Sequence, residues 1–354
     1  MGEVLMDKFS YRLAQDVKEK VDKKFNRVQA LKSQEFYSSP ILESVNASDS
    51  TVKINNLTTA DVFGFYDDLM AAYPNYITRE IFATETSGKA IYRYNFTPLQ
   101  PEITRDETLE TDLLHFFIVS GVHASEKAGW WCLYESMKQI CENWRSHENL
   151  EALRHNVRFS VVPIVNVYGV DNSDDPVTLN GKKNANGVDI NRNFPEGFKV
   201  ISDTSYAGYG GEEPLSQPES IAIADVLRNE QVDFYADFHN FSSQPNVNYF
   251  MWGIGGVKRD INISQSYLSH ISSKWKKENS SYPQEDDVFF GFSSTGAGGS
   301  TPPYVGSLGI QGGIFEICHT LHFLSTSQYT SEVITNGTEA QLNWLYINYL
   351  NLLN

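Results

Sequence analysis

Apolar residues recur at helical spacing in the charged opening of the chain, at Phe9, Leu13, Val17, Val21, Phe25 and Val28. That spacing predicts an amphipathic helix or a short coiled coil over residues 1–33. Residues 34–56 are richer in Ser and Asn and read as a linker or arm. The chain therefore divides into an N-terminal helix and arm, residues 1–56, and a compact domain, residues 57–354. Thr58 or Thr59 is placed to cap a helix over Ala60 to Tyr73, with Pro74 marking its end. Ile77 to Phe82 and Ala90 to Phe96 read as strands around a Ser87-Gly88 turn. Leu113 to Ser120 (LLHFFIVS) is a continuous apolar run, as expected of a strand buried on both faces. It passes through GVHASE into a long predicted helix, Lys127 to Trp144. Val157 to Val165, Gln231 to Phe238 and Gly313 to Cys318 are further buried runs, and a helix through IAIADVLRN precedes the second of these. Alternation of this kind predicts an α/β fold: a mixed, mostly parallel central sheet with helices on both faces, plus the N-terminal helical extension.

Composition narrows the function classes. With 354 residues, 41% of them hydrophobic, the chain can bury a large core. A formal net charge of −16 repels a polyanion, so nucleic acid is not expected as a partner. No run approaches the roughly 20 apolar residues of a membrane span, and the N-terminus lacks the apolar core of a secretory signal. The expectation is a soluble chain, cytoplasmic or exported without a classical signal, with no membrane partner. Cys132, Cys141 and Cys318 are too few for a disulfide framework. Cys132 and Cys141 share one helical segment and read as buried free thiols.

The candidate chemistry lies at the strand ends, where open α/β sheets form their sites. The first run leads to His123-Ala-Ser-Glu126, the third to Asp237-Phe-His239, and the fourth carries Glu316 and then His319. Two histidines and a carboxylate leave one zinc position open, as a hydrolytic site requires. Zinc lowers the pKa of a bound water to about 7 and polarises a carbonyl. A further carboxylate is then needed as general base, and Glu316 is the candidate.

These pieces occur in order around GVDINRNF (Gly187 to Phe194), and here the sequence resembles the zinc metallocarboxypeptidases of the carboxypeptidase A and T type. HASE, GVDINRNF, DFYADFHNF and GGIFEICHT follow the family order. PIVNVYGVD and YAGYGGEEPLSQPES fall where two further family segments stand. The likeness runs from about Leu57 to the C-terminus. It implies one zinc ion held by His123, Glu126 and His239, and a substrate carboxylate gripped by Asn191 and Arg192. Arg suits that grip because its planar fork pairs with a carboxylate through two parallel bonds. Glu316 would take the proton from the attacking water and pass it to the leaving amine. The implied activity is hydrolysis of a peptide bond next to a residue with a free carboxylate, with a peptide or peptide-like substrate as partner.

The departures are specific. The family's oxyanion Arg ahead of the Asn-Arg pair is absent from Gly181-Lys182-Lys183-Asn184. Lys182 is the candidate replacement, with Lys183 a near equal. Ser125 stands where many members have Arg. No tyrosine matches the family's peptidase Tyr, and Tyr304 in FSSTGAGGSTPPY lies close to Glu316. Two other readings follow: an amidase acting on cell-wall peptides or N-acyl amino acids, and a non-catalytic module with an inherited fold. The N-terminal helix is a candidate for self-association.

Overall fold

The structure, a computed structural model, describes residues 57–98, 113–241, 249–253, 288–291, 298–319 and 331–352. The N-terminal helix and arm, and the self-association assigned to them, lie outside the described residues. Helix α1 spans Thr59–Ala72, and Thr58 is its cap. The Thr58 hydroxyl accepts from the Asp61 amide, while the Asp61 carboxylate accepts from the Thr58 amide at 2.8 Å. Two orphan donors of the first turn are thus satisfied reciprocally.

The strands are β1 Ile77–Thr84, β2 Ala90–Phe96, β3 Leu114–Ser120, β4 Val157–Val162, β5 Phe234–Phe241, β6 Tyr249–Gly253, β7 Val288–Gly291 and β8 Gln311–His319. They form one sheet in the order β1-β2-β4-β3-β5-β8-β6-β7. The central pairs β4-β3, β3-β5 and β5-β8 are parallel, whereas β1-β2, β2-β4 and β6-β8 are antiparallel. The mostly parallel, mixed sheet expected from the apolar runs is the sheet observed.

The other helices are α2 Lys127–Glu142, α3 Glu148–Asn156, α4 Val167–Asp171, α5 Pro218–Asn229, α6 Thr301–Ser307 and α7 Ser331–Leu352. Side-chain alternation along β5 sorts them onto the sheet. Phe234 and Phe238 meet the Trp344 ring of α7 edge-on, with ring centres 5.0 and 5.8 Å away. Asp237 and His239 therefore point to the other face, where Thr301 at the start of α6 donates to Asp237. Helices cover both faces, and the candidate chemistry faces away from α7. Cys132 and Cys141 are both buried free thiols on α2. No described helix is long and apolar enough to cross a membrane.

One boundary differs from the sequence reading. The third apolar run continues as strand to Phe241, because β8 offers it a ladder as far as Phe241–His319. His239 thus sits inside a paired strand, directly opposite Glu316.

Candidate metal centre and its surroundings

After β3, Gly121 adopts φ +61°, a turn that glycine makes without strain, and the chain enters His123-Ala-Ser-Glu126. Glu126 occupies the cap position of α2, yet its carboxylate caps nothing there. It turns instead to two imidazoles. His123 Nδ1 lies 2.7 Å from Oε1, and His239 Nδ1 lies 2.7 Å from Oε2. The Asn240 amide donates to Oε2 at 2.9 Å. The two rings stand 4.9 Å apart at 80°. Three residues from two distant segments thus bring two nitrogens and a carboxylate oxygen within 4.8 Å of one another.

The far nitrogen of each ring faces an aspartate. His123 Nε2 is hydrogen-bonded to Asp189 Oδ1 at 3.1 Å. His239 Nε2 lies 2.9 Å from Asp237 Oδ2, but off the line of a hydrogen bond, so it is a buried polar atom without a hydrogen-bond partner. Asp189 and Asp237 are both fully buried.

Four carboxylates, Glu126, Asp189, Asp237 and Glu316, surround the two imidazoles. Although burial works against it, His123 and His239 hold the Glu126 carboxyl well below the usual carboxylate range. Asp189 is likewise held low against its burial, by His123 first and then by Arg192 and Lys182. Burial, and then the Glu126 carboxylate, push Glu316 up to about 8. Buried charge is costly unless compensated. The donor set is that of a zinc site with an open position, and a dication would answer the surplus of carboxylates. The residues present fit such an ion.

Asn191 and Arg192 lie in a short helical turn, Ile190–Arg192, and the Asp189 carboxylate accepts from the Asn191 amide at 3.0 Å. One aspartate thus joins the turn to His123. The carbonyl of Arg192 is wedged between Gly210 and Gly299, and a Cβ at either glycine would stand 2.3 Å from that oxygen. Asn193 fixes the segment that follows: its Oδ1 accepts from the amides of Ser216 and Gln217 and from the Ser220 hydroxyl, and its Nδ2 donates to the Gly210 and Glu213 carbonyls.

Lys182 and Lys183 separate clearly. Lys182 Nζ lies 3.4 Å from Asp189 Oδ2, beside the imidazole cluster. Lys183 is buried and donates to the Thr204 carbonyl at 2.9 Å, so its charge is committed elsewhere. Tyr304 is also removed from the site chemistry. It is buried on α6, its ring 5.5 Å from Phe194 and facing the Arg228 guanidinium.

Residues that motif order alone did not single out are Asp189, Asn193, Asn166 and Asn240. Asn166 donates to the carbonyl of Lys183 at 2.9 Å and so shapes the segment bearing Lys182. The Asn240 side chain accepts from the Gly129 amide at 2.7 Å, tying β5 to the start of α2. Asp189 had a visible signal, as the acidic residue just ahead of the Asn-Arg pair. The others are polar residues whose partners lie far away in the chain.

An open mixed sheet with an imidazole–carboxylate cluster beside its central strands defines a class of metal-dependent hydrolases. Within that class, the family model for zinc carboxypeptidases matches residues 63–307, and the chain belongs to that family. Human carboxypeptidase D is 26% identical over 167 residues, covering 47% of this chain and 11% of that protein. The catalytic chain of human carboxypeptidase N is 25% identical over 196 residues, 49% of this chain and 40% of that one. The chain thus spans only a fraction of the length of these relatives. Among solved structures, thrombin-activatable fibrinolysis inhibitor superposes with a TM-score of 0.67 at 16% identity, covering 92% of this chain and 80% of that chain. Carboxypeptidase A from Helicoverpa armigera gives 0.60 at 16% identity, covering 95% and 81%. At these identities the superpositions establish the fold.

Proposed function

We propose that residues 57–354 form a zinc-dependent carboxypeptidase domain that hydrolyses the peptide bond next to a residue bearing a free carboxylate. The observation that carries the reading is the pair of Nδ1 atoms at 2.7 Å from the two oxygens of Glu126, with Glu316 opposite His239 on the adjoining strand. His123, Glu126 and His239 would hold the ion. When bound, zinc supplies a Lewis acid for the scissile carbonyl and lowers the pKa of water.

The protein's own groups supply the rest. Glu316, half-buried on β8 and paired across the strands with His239, would take a proton from water and return it to the leaving amine. Arg192 and Asn191 would anchor the substrate's terminal carboxylate. Lys182 would place positive charge by the developing oxyanion, as a point charge without the fork of Arg. A cavity of about 220 Å³ bordered by Ala124, Ser125, Lys127 and Asn180 offers room for residues upstream of the scissile bond.

The test is zinc stoichiometry together with release of free amino acid from short peptides. One zinc per chain and cleavage of peptides with free but not amidated C-termini support the reading. A protein that binds no zinc overturns it. Glu316→Gln should retain zinc and lower kcat by about 10²- to 10⁴-fold.

A further inference from the structure

Each imidazole of the cluster has one nitrogen committed to Glu126, which leaves the opposite N–H buried. For His123 that group has a hydrogen-bonded acceptor in Asp189. For His239 it has none in strict geometry, yet Asp237 Oδ2 stands 2.9 Å away. The two residues are two apart on β5, so the pleat presents both on one face. Asp237 is itself unusual. It is a fully buried carboxylate inside a strand whose Oδ1 has no partner. Its Oδ2 accepts from the Thr301 hydroxyl at 3.2 Å, and the Thr301 amide donates to Asn191 Oδ1 at 3.0 Å. A carboxylate in the middle of a sheet with one oxygen left unpartnered costs stability. Its position beside an orphaned imidazole N–H gives that cost a use.

We propose that Asp237, steadied by Thr301, is a positioning residue for His239: it holds the proton on Nε2 and so keeps the Nδ1 lone pair turned to the metal. This rests on the zinc assignment above. An acceptor on the outer nitrogen of a metal-binding imidazole fixes its tautomer and ring orientation and raises its basicity. Removing such a group typically costs 10- to 100-fold in metal affinity. The same contacts link β5 through Thr301 to Asn191, so the metal side and the substrate-carboxylate side share one hydrogen-bonded chain.

The experiment compares parent, Asp237→Asn and Asp237→Ala by zinc titration against a competing chelator, well below the unfolding temperature and normalised to folded protein. The visible spectrum of the cobalt(II)-loaded forms is recorded alongside. Asp237→Ala is expected to weaken zinc by about 10- to 100-fold and to shift the cobalt bands. Asp237→Asn should fall between it and the parent, because the amide oxygen still accepts a hydrogen bond but carries no charge. Should Asp237→Ala fail to fold, the Asn variant alone decides. A merely structural role lowers the melting temperature and leaves affinity and spectrum alone. Parental affinity and an unchanged spectrum in the folded variants overturn the positioning role while the zinc assignment stands. Absence of zinc binding by the parent overturns both.

Discussion

Gly129 and Phe238 touch backbone to backbone: a Cβ on Gly129 would lie 2.8 Å from the Phe238 carbonyl oxygen. Helix α2, which begins beside Glu126, is thereby laid directly on β5, which carries His239. Alanine normally stabilises a helix interior relative to glycine by about 1 kcal/mol, but here the added methyl forces the two elements apart. Gly129→Ala should destabilise the fold by about 1–3 kcal/mol and weaken metal binding. Gly64 in α1, with nothing within 4 Å of its Cβ position, is the control: Gly64→Ala should gain about 0.5–1 kcal/mol. Chemical denaturation of both variants checks the contrast.

The two adjacent lysines should behave differently. Lys182→Ala should lower kcat by about 10²- to 10³-fold, the range seen when an oxyanion donor is lost, with little change in melting temperature. Lys183→Ala removes the bond to the Thr204 carbonyl and should mainly lower stability, by about 1–2 kcal/mol. Steady-state kinetics and thermal unfolding on both variants separate the roles. Equal kinetic losses would count against Lys182.

His115 should make the fold acid-sensitive. It is buried between the Gln231 carbonyl and the Ser160 hydroxyl, with Arg158 against its Nδ1 and Glu230 at 4.0 Å. Burial, and then Arg158, push it down to about 4 from a reference of 6.5. The unfolded chain takes up a proton below pH 6.5 and the folded chain does not. This contribution is therefore intact above pH 6.5 and is lost progressively towards pH 4, to a limit on the order of 3 kcal/mol. His115→Gln should flatten that part of the stability profile between pH 7 and 4, measured by denaturation at fixed ionic strength.

Glu135 on α2 carries the opposite slope. Burial pushes it up to about 7 from 4.5. Its ionisation cost is absent below pH 4.5, grows between pH 4.5 and 7, and is complete above. Glu135→Gln should thus raise stability at pH 8 by up to roughly 3 kcal/mol and change little at pH 4. A gain independent of pH would exclude ionisation as the cause.

The elements and the cluster were legible to different depths. β3 and β4 were visible because strands buried on both faces are unbroken apolar runs. His123, Glu126, His239 and Glu316 were visible as ligand-type residues at the ends of such runs, and the structure brings them together. The extension of β5 through His239 was not visible, since it depends on a ladder with β8, more than 70 residues further along. The different surroundings of Lys182 and Lys183 were equally closed to sequence, because they depend on Thr204 and Asp189 approaching from separate loops. Asn193 sat within the most specific motif, yet its work is to hold the loop around Ser216, a contact that no local pattern encodes.

β8 lies between two neighbours, with Glu316 paired to His239 on one side and to Phe250 on the other. A side chain whose backbone is stitched in on both flanks has little freedom to follow a substrate. With Glu316 in its proposed role, accommodation of different substrates falls to the surrounding loops, while proton transfer keeps a fixed address. Such a division lets loop sequences diverge, or be exchanged by design, without re-tuning the acid–base group.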